Sequence, residues 1–297
     1  MNASGKRFIW HSSQKDEFKI VYFSDIHWLA KACAEHEVLK TRDEILNDPF
    51  TFWIGGGDYG EFIGFGDAKR FDPDAVSERV TVADLGRLGK RTYEGVRDIF
   101  DPIKHKCLGL IVGNHEKQYM RRQQQEDLHG WLCTELSVPD LGYSCFMDLV
   151  FQQVRGAPMN QWGPPALPAL YHHSVPKKNH SGSETFRVWC HHGAGAAQTK
   201  GGKINRLTSF MRNFEADIFF MGHVHDQMGA RLTPLIADEA CTKLRNRTKV
   251  GVISGSYLKT YAQGVTSYGE QKGYEPTTLG AAWVAIKPQT RDIWGRV

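Results

Sequence analysis

No run of apolar residues in this chain approaches the length that crosses a bilayer, and its N-terminal stretch, MNASGKRFIWHSSQKDEFKI, holds no apolar segment of signal-peptide length. Neither a membrane span nor a secretory leader is expected, and no membrane partner. Cysteine is sparse and unpatterned: Cys33, Cys107, Cys133, Cys145, Cys190 and Cys241 form no C-x-x-C pair. A disulfide framework is therefore not expected, the thiols read as reduced, and the expected compartment is the cytoplasm. Repeats and low-complexity tracts are also missing, which excludes a solenoid. Charge of one sign is not in excess either, with 37 Lys and Arg against 33 Asp and Glu, a net of +4. Such a balance is compatible with an anionic substrate and does not demand one.

What is present is an ordinary globular composition, 41% hydrophobic and 24% charged over 297 residues. That supports a single large domain over 1–297 with ample material for a core. Several short apolar runs stop abruptly at a polar cluster that carries glycine. KIVYF stops at SDIH, FTFWI at GGGDYG, CLGLIV at GNHE, FRVWC at HHGAG and DIFFM at GHVH. Each run has strand length and is rich in β-branched or aromatic residues, so each predicts a buried strand. Helical spacing lies between them in EHEVLKTRDEILND, in DPDAVSERVTVADLGRLGKRTYEGVRDIF (one or two helices), in EKQYMRRQQQEDLHGWLCTEL and in INRLTSFMRNF. Alternation of strands and helices predicts an α/β architecture. The segment Tyr143 to Phe151 alternates as a half-buried strand. From about Arg231 onward strands and loops replace helices, which predicts a second, more antiparallel sheet. Residues 156–183 hold five prolines, His172, His173, Lys177 and Lys178, and read as a loop insertion that could cap a site.

In open α/β sheets the carboxyl ends of the strands face one crevice. If the five strands share a sheet, Asp25, His27, Asp58, Asn114, His115, His191, His192, His223 and His225 meet at one rim. These are oxygen and imidazole donors without thiolate, a set suited to divalent transition metals and too large for one tetrahedral ion. Taken singly, D-x-H is usually a turn and G-N a turn dipeptide, but two histidines straight after a buried strand are costly unless satisfied.

In this order, D-x-H, G-D, G-N-H-E, H-G and G-H-x-H, the blocks resemble those of the calcineurin-like metallophosphoesterases. They span residues 25 to 225. The resemblance implies a four-layer αββα sandwich, two mixed β-sheets flanked by helices. It also implies two divalent metal ions, with Asp25, His27 and His225 on the first, Asp58 bridging, and Asn114, one of His191 and His192, and His223 on the second. The family's histidine directly precedes glycine, which selects His192; His191 would then point to the opposite face of the strand. His115 is implied as the catalytic residue, a general acid or charge stabiliser over the leaving group, with Glu116 tuning its orientation. A hydroxide held between the metals would attack phosphorus in line. The ligand types accept manganese, iron, zinc, cobalt or nickel, and the resemblance favours manganese or iron, manganese first.

The substrate is less legible. Basic residues follow the site blocks: Lys117, Arg121 and Arg122, then Lys200, Lys203 and Arg206. Another cluster, Lys243, Arg245, Arg247 and Lys249, could track a nucleic-acid backbone or simply face solvent. Tyr257, Tyr261, Tyr268 and Tyr274 could stack bases or pack at sheet edges, and the small-residue loop HHGAGAAQTKGG opens a helix whose amides suit phosphate. The first expectation is a phosphodiesterase with nuclease-like activity on a nucleic acid or nucleotide. A phosphomonoesterase acting on phosphoprotein or a small metabolite is the second. A non-catalytic, metal-bound interaction scaffold comes last, because such proteins lose ligands and none is missing here.

Overall fold

The computed structural model describes residues 1–11, 13–62, 73–123, 127–154, 162–163, 180–195, 197, 199–238 and 240–297. Most of the expected insertion, with His172, His173, Lys177 and Lys178, lies outside these residues, as do the side chains of Arg121, Arg122 and Tyr268.

Two sheets carry the fold. One is built on β2 (Phe18–Phe23), β3 (Thr51–Gly55) and β4 (Cys107–Ile111), three parallel neighbours. It is extended by β5 (Asp140–Gly142) on one side, and on the other by antiparallel β14 (Ala282–Lys287) and β15 (Asp292–Arg296). The other sheet runs in the order β10 (Met228–Leu232), β13 (Lys249–Ile253), β9 (Ile218–Met221), β8 (His180–His191), β6 (Ser144–Val154), β1 (Asn2–His11) and β7 (Trp162–Gly163). A two-stranded hairpin, β11 (Leu235–Ala237) with β12 (Leu244–Asn246), projects beyond β10 and β13.

The period-two alternation of strand side chains sorts these runs into layers. Phe18, Ile20 and Tyr22 on β2, Phe52 and Ile54 on β3, Phe186, Val188 and Cys190 on β8, and Ile218 and Phe220 on β9 fill the space between the sheets. The intervening residues face out. Val21, Phe23 and Trp53 meet helices α1 (Glu35–Asn47), α2 (Leu88–Phe100) and α4 (Leu128–Leu136) through Val38, Ile45, Tyr93, Val96 and Leu132. Trp189, Phe219 and Met221 on the second sheet meet Leu207 and Met211 of α5 (Lys200–Asn213). The order helix, sheet, sheet, helix is the four-layer αββα sandwich. The short helix α3 (Asn114–Gln123) opens where β4 ends.

Three expectations need correction. The five site-bearing strands do not share one sheet: β2, β3 and β4 lie in one, β8 and β9 in the other. Most of the tail joins the two main sheets, since β13 pairs parallel to β9 and β14 joins β2 in the first sheet, while the hairpin β11–β12 stands apart. The expected helix after GNHE is two, α3 and α4, the second capped by the Asp127 carboxylate accepting from Gly130 N at 2.9 Å. Of the expected insertion, residues 162–163 pair with β1 and His180 already opens β8.

Candidate metal centre

Each candidate ligand sits just past the end of a strand, and the loops are tied to one another. Gly57 O accepts from Asp25 N at 2.9 Å and Asp58 O from His27 N at 3.1 Å, joining the loops after β2 and β3. His192 O accepts from Gly222 N at 2.8 Å, joining those after β8 and β9. The two sheets meet where the Asp25 carboxylate accepts from His223 N, at 3.0 and 3.1 Å. Close approach explains the glycines. A Cβ on Gly113 would stand 2.1 Å from Asp58 Oδ1, and one on Gly222 would stand 2.5 Å from Asp25 Oδ2.

Two groups of donors result. Ligand atoms of Asp25, His27 and His225 lie within 4.8 Å of one another, and so do those of Asp58, His192 and His223. In the first group, His27 Nδ1 is 2.6 Å from Glu61 Oε2 and donates to it, which leaves Nε2 as the ring nitrogen able to serve as a ligand. That nitrogen faces His225 Nε2 at 3.2 Å, which in turn is 3.4 Å from Asp25 Oδ1. Lone pairs so arranged need a proton or a cation among them. In the second group the inward amide atom of Asn114 lies 2.9 Å from His192 Nε2, 2.7 Å from His223 Nδ1 and 3.3 Å from Asp58 Oδ2. Turning the amide nitrogen inward would satisfy these acceptors; a cation satisfies them with the carbonyl oxygen inward. Carboxylate, amide oxygen and imidazole together, with no thiolate, fit divalent transition ions.

His192 is fully buried, with Nδ1 2.7 Å from Gly56 O and Nε2 3.2 Å from Asp58 Oδ2. His191 turns to the outer face of its sheet, its ring stacked 5.4 Å from Trp189 and tilted against Phe210 at 5.2 Å. Burial there pushes its pKa down to about 4, assisted by His192 and His223. Burial raises the Asp58 carboxyl, but His192, His115 and His27 outweigh it and hold the group well below the usual range.

His115 stands beside the first group, its ring edge-on to His27 at 4.9 Å. Its backbone N–H donates to Asp58 Oδ1 at 2.9 Å, and its Nδ1 lies 2.7 Å from Glu61 O. Glu116 does not orient His115. It accepts from Asp58 N at 3.1 Å and Tyr59 N at 2.6 Å, so it holds the backbone of the Asp58 loop. Glu61 is the residue that sequence reasoning missed. Its carboxylate fixes His27 and its carbonyl fixes His115. Burial disfavours its charge, yet His27 and His115 bring its pKa down to about 2. The signal was a carboxylate three positions after Asp58.

The basic clusters divide. Near the rim, Lys117 Nζ lies 4.8 Å over the Tyr143 ring, whose hydroxyl donates to Gly193 O at 3.2 Å. Lys203 pairs with Asp226 at 3.2 Å. The Lys243 to Lys249 run is elsewhere, at the end of β10 and β13 away from His225. There Arg247 pairs with Glu215 and Asp217, and Lys249 Nζ donates to Met211 O and Phe214 O at 3.1 and 3.0 Å. Tyr257 is buried with its hydroxyl donating to Thr41, so it offers no face to a base. Tyr261 is exposed, its hydroxyl donating to Tyr274 O at 2.9 Å. All six cysteines are free thiols, and among the described residues no helix is long and apolar enough to cross a membrane.

No protein-family model matches the chain, and no curated protein does. Among solved structures, a conserved uncharacterized protein from Streptococcus pneumoniae TIGR4, a predicted phosphoesterase, aligns at 10% identity and TM-score 0.30 over 95% of this chain and 99% of its own. A metallophosphoesterase from Sphaerobacter thermophilus aligns at 12% identity and TM-score 0.36, over 94% of this chain and 87% of its own. At these scores the likeness adds nothing to the assignment, which rests on the layers and the donor groups themselves.

Proposed function

We propose that the chain is a metal-dependent phosphoesterase that uses two divalent ions, manganese first among them, and prefers phosphodiesters such as nucleic acid or nucleotide. One observation carries this: two groups of converging oxygen and imidazole donors, Asp25–His27–His225 and Asp58–His192–His223 with Asn114, adjoin on one rim beside His115. Cations held there supply Lewis acidity, polarising phosphoryl oxygens and making water acidic enough to attack at neutral pH. His115 supplies the proton. Burial lowers its pKa, but Asp58 and Glu61 outweigh it and raise it above the ordinary imidazole value. With Nδ1 engaged by Glu61 O, Nε2 is the nitrogen that gives a proton to the departing alkoxide. Lys117 adds positive charge at the rim for the flanking phosphates of a polyanion.

The test compares bis-p-nitrophenyl phosphate with p-nitrophenyl phosphate in the manganese-loaded protein. Faster turnover of the diester supports the reading; hydrolysis of the monoester alone moves the assignment to a phosphomonoesterase, and hydrolysis of neither refutes it. His115→Ala is expected to lose about 100-fold or more in kcat while keeping its metal. Asp58→Ala is expected to lose metal. Wild-type turnover in the first, or two full equivalents of metal in the second, removes the assigned role.

A further inference from the structure

Away from the rim, a second kind of donor set occurs. His129 and Cys133 lie one turn apart on α4, on the same face, and Asp140 opens β5 beside them. Asp140 Oδ1 is 3.2 Å from His129 Nε2, and Cys133 Sγ is 3.7 Å from the same nitrogen. All three ligand atoms lie within 4.8 Å of one another. A tetrahedral ion with bonds of about 2.0–2.1 Å to nitrogen and oxygen and about 2.3 Å to sulfur has edges of roughly 3.3 and 3.6 Å between them. The observed separations are close to these edges.

Hydrogen bonding alone serves this cluster poorly. Both neighbours converge on one nitrogen, which can donate to Asp140 or accept from the thiol but not both. His129 Nδ1 is buried with no partner, and an ion on Nε2 would leave it so; what calls for a cation is the pair of contacts at Nε2. One face of that ring is covered by Tyr59, parallel at 6.3 Å. His129 and Cys133 are buried, whereas Asp140 is exposed and opens the cluster to solvent.

We propose that His129, Cys133 and Asp140 bind a divalent ion of the zinc type, with water from the Asp140 side as fourth ligand. Thiolate and carboxylate together balance its two positive charges, and the thiol proton leaves to solvent on binding. The ion fastens α4 to β5, the three-residue edge strand of its sheet. This site is independent of the proposed phosphoesterase reading, because it shares no residue with the rim.

Cobalt(II) added to the full-length protein provides the test. The rim offers only oxygen and nitrogen, so a near-ultraviolet sulfur-to-cobalt charge-transfer band reports thiolate ligation elsewhere. The band is expected in the wild type and in Cys241→Ser, the variant lacking the exposed thiol, and is lost in Cys133→Ala together with one equivalent of bound metal. Asp140→Asn, at an exposed position and keeping Oδ1 as an acceptor for Gly142 N, is expected to keep the band and weaken cobalt binding at least about tenfold, since even an outer partner is worth that much. No band at saturating cobalt, a band that survives Cys133→Ala, or unchanged affinity in Asp140→Asn overturns the proposal.

Discussion

Ten described non-glycine residues have a positive φ, and five of them are candidate ligands: Asp25, His27, Asp58, His223 and His225. Left-handed backbone costs of order 1–3 kcal/mol per residue outside glycine and persists where surrounding contacts over-determine it. Asp, Asn and His tolerate it best, which is one reason why these types can sit there. The twist releases each side chain from the strand's alternation and aims it over the rim. Glu61 then fixes two rings at once. Removing its carboxylate in Glu61→Ala should let His27 turn or change tautomer, and metal affinity should fall about 10–100-fold, as for other lost outer partners of a ligating histidine. Glu61→Gln keeps an acceptor for Nδ1 and should retain most of the affinity. Metal titration of both variants decides it; wild-type affinity in Glu61→Ala would show that His27 needs no such support. The ligand types and their strand ends were legible in sequence, whereas Glu61 was not. Its partner His27 is distant in the chain, and a loop carboxylate ordinarily faces water.

At the scale of elements, hydrophobic runs announced the strands but not their neighbours. A strand buried on both faces is apolar throughout, so its sequence does not say which sheet it joins. β1 went unseen because NASGKRFIWH is polar at its start and buried only from Arg7 onward. The helices' C-termini hold a second surprise. Two buried lysines cap helices: Lys106 Nζ donates to Ile45 O, Leu46 O and Asp48 O at 2.6, 2.9 and 2.8 Å, at the end of α1. Lys249 does the same for the end of α5. A cation there meets the negative end of the helix and satisfies carbonyls that have no partner within the helix. Lys106→Met keeps the stem and removes the donor from Ile45 O and Leu46 O, while Asp48 O keeps Thr51 N, at a cost of about 1–3 kcal/mol. The midpoint of urea unfolding should drop accordingly. Metal affinity should not change, because Lys106 precedes β4 and Asn114 follows its other end.

For the whole molecule, the division of candidate ligands between sheets has a consequence for stability. Asp25, His27, Asp58 and Asn114 follow strands of one sheet, while His192, His223 and His225 follow strands of the other. Each donor group draws on both sheets: Asp25 and His27 with His225, and Asp58 with His192 and His223. The sheets are held by an apolar interlayer, in which Tyr22 stacks on Phe220 at 5.2 Å, and at the rim by bonds such as His223 N to Asp25. An ion gripped from both sheets binds the packed sandwich and not the unfolded chain. It must therefore stabilise by mass action, about 2.7 kcal/mol when its concentration is 100 times Kd. Thermal unfolding in manganese should have a higher midpoint than in chelator, with the difference growing with metal concentration. Asp58→Ala should abolish most of that difference, and Phe220→Ala should lower both midpoints by the cost of a large buried cavity, about 3–5 kcal/mol, while leaving a metal-dependent difference in place. A midpoint indifferent to manganese in the wild type would mean that the two sheets do not share a cation.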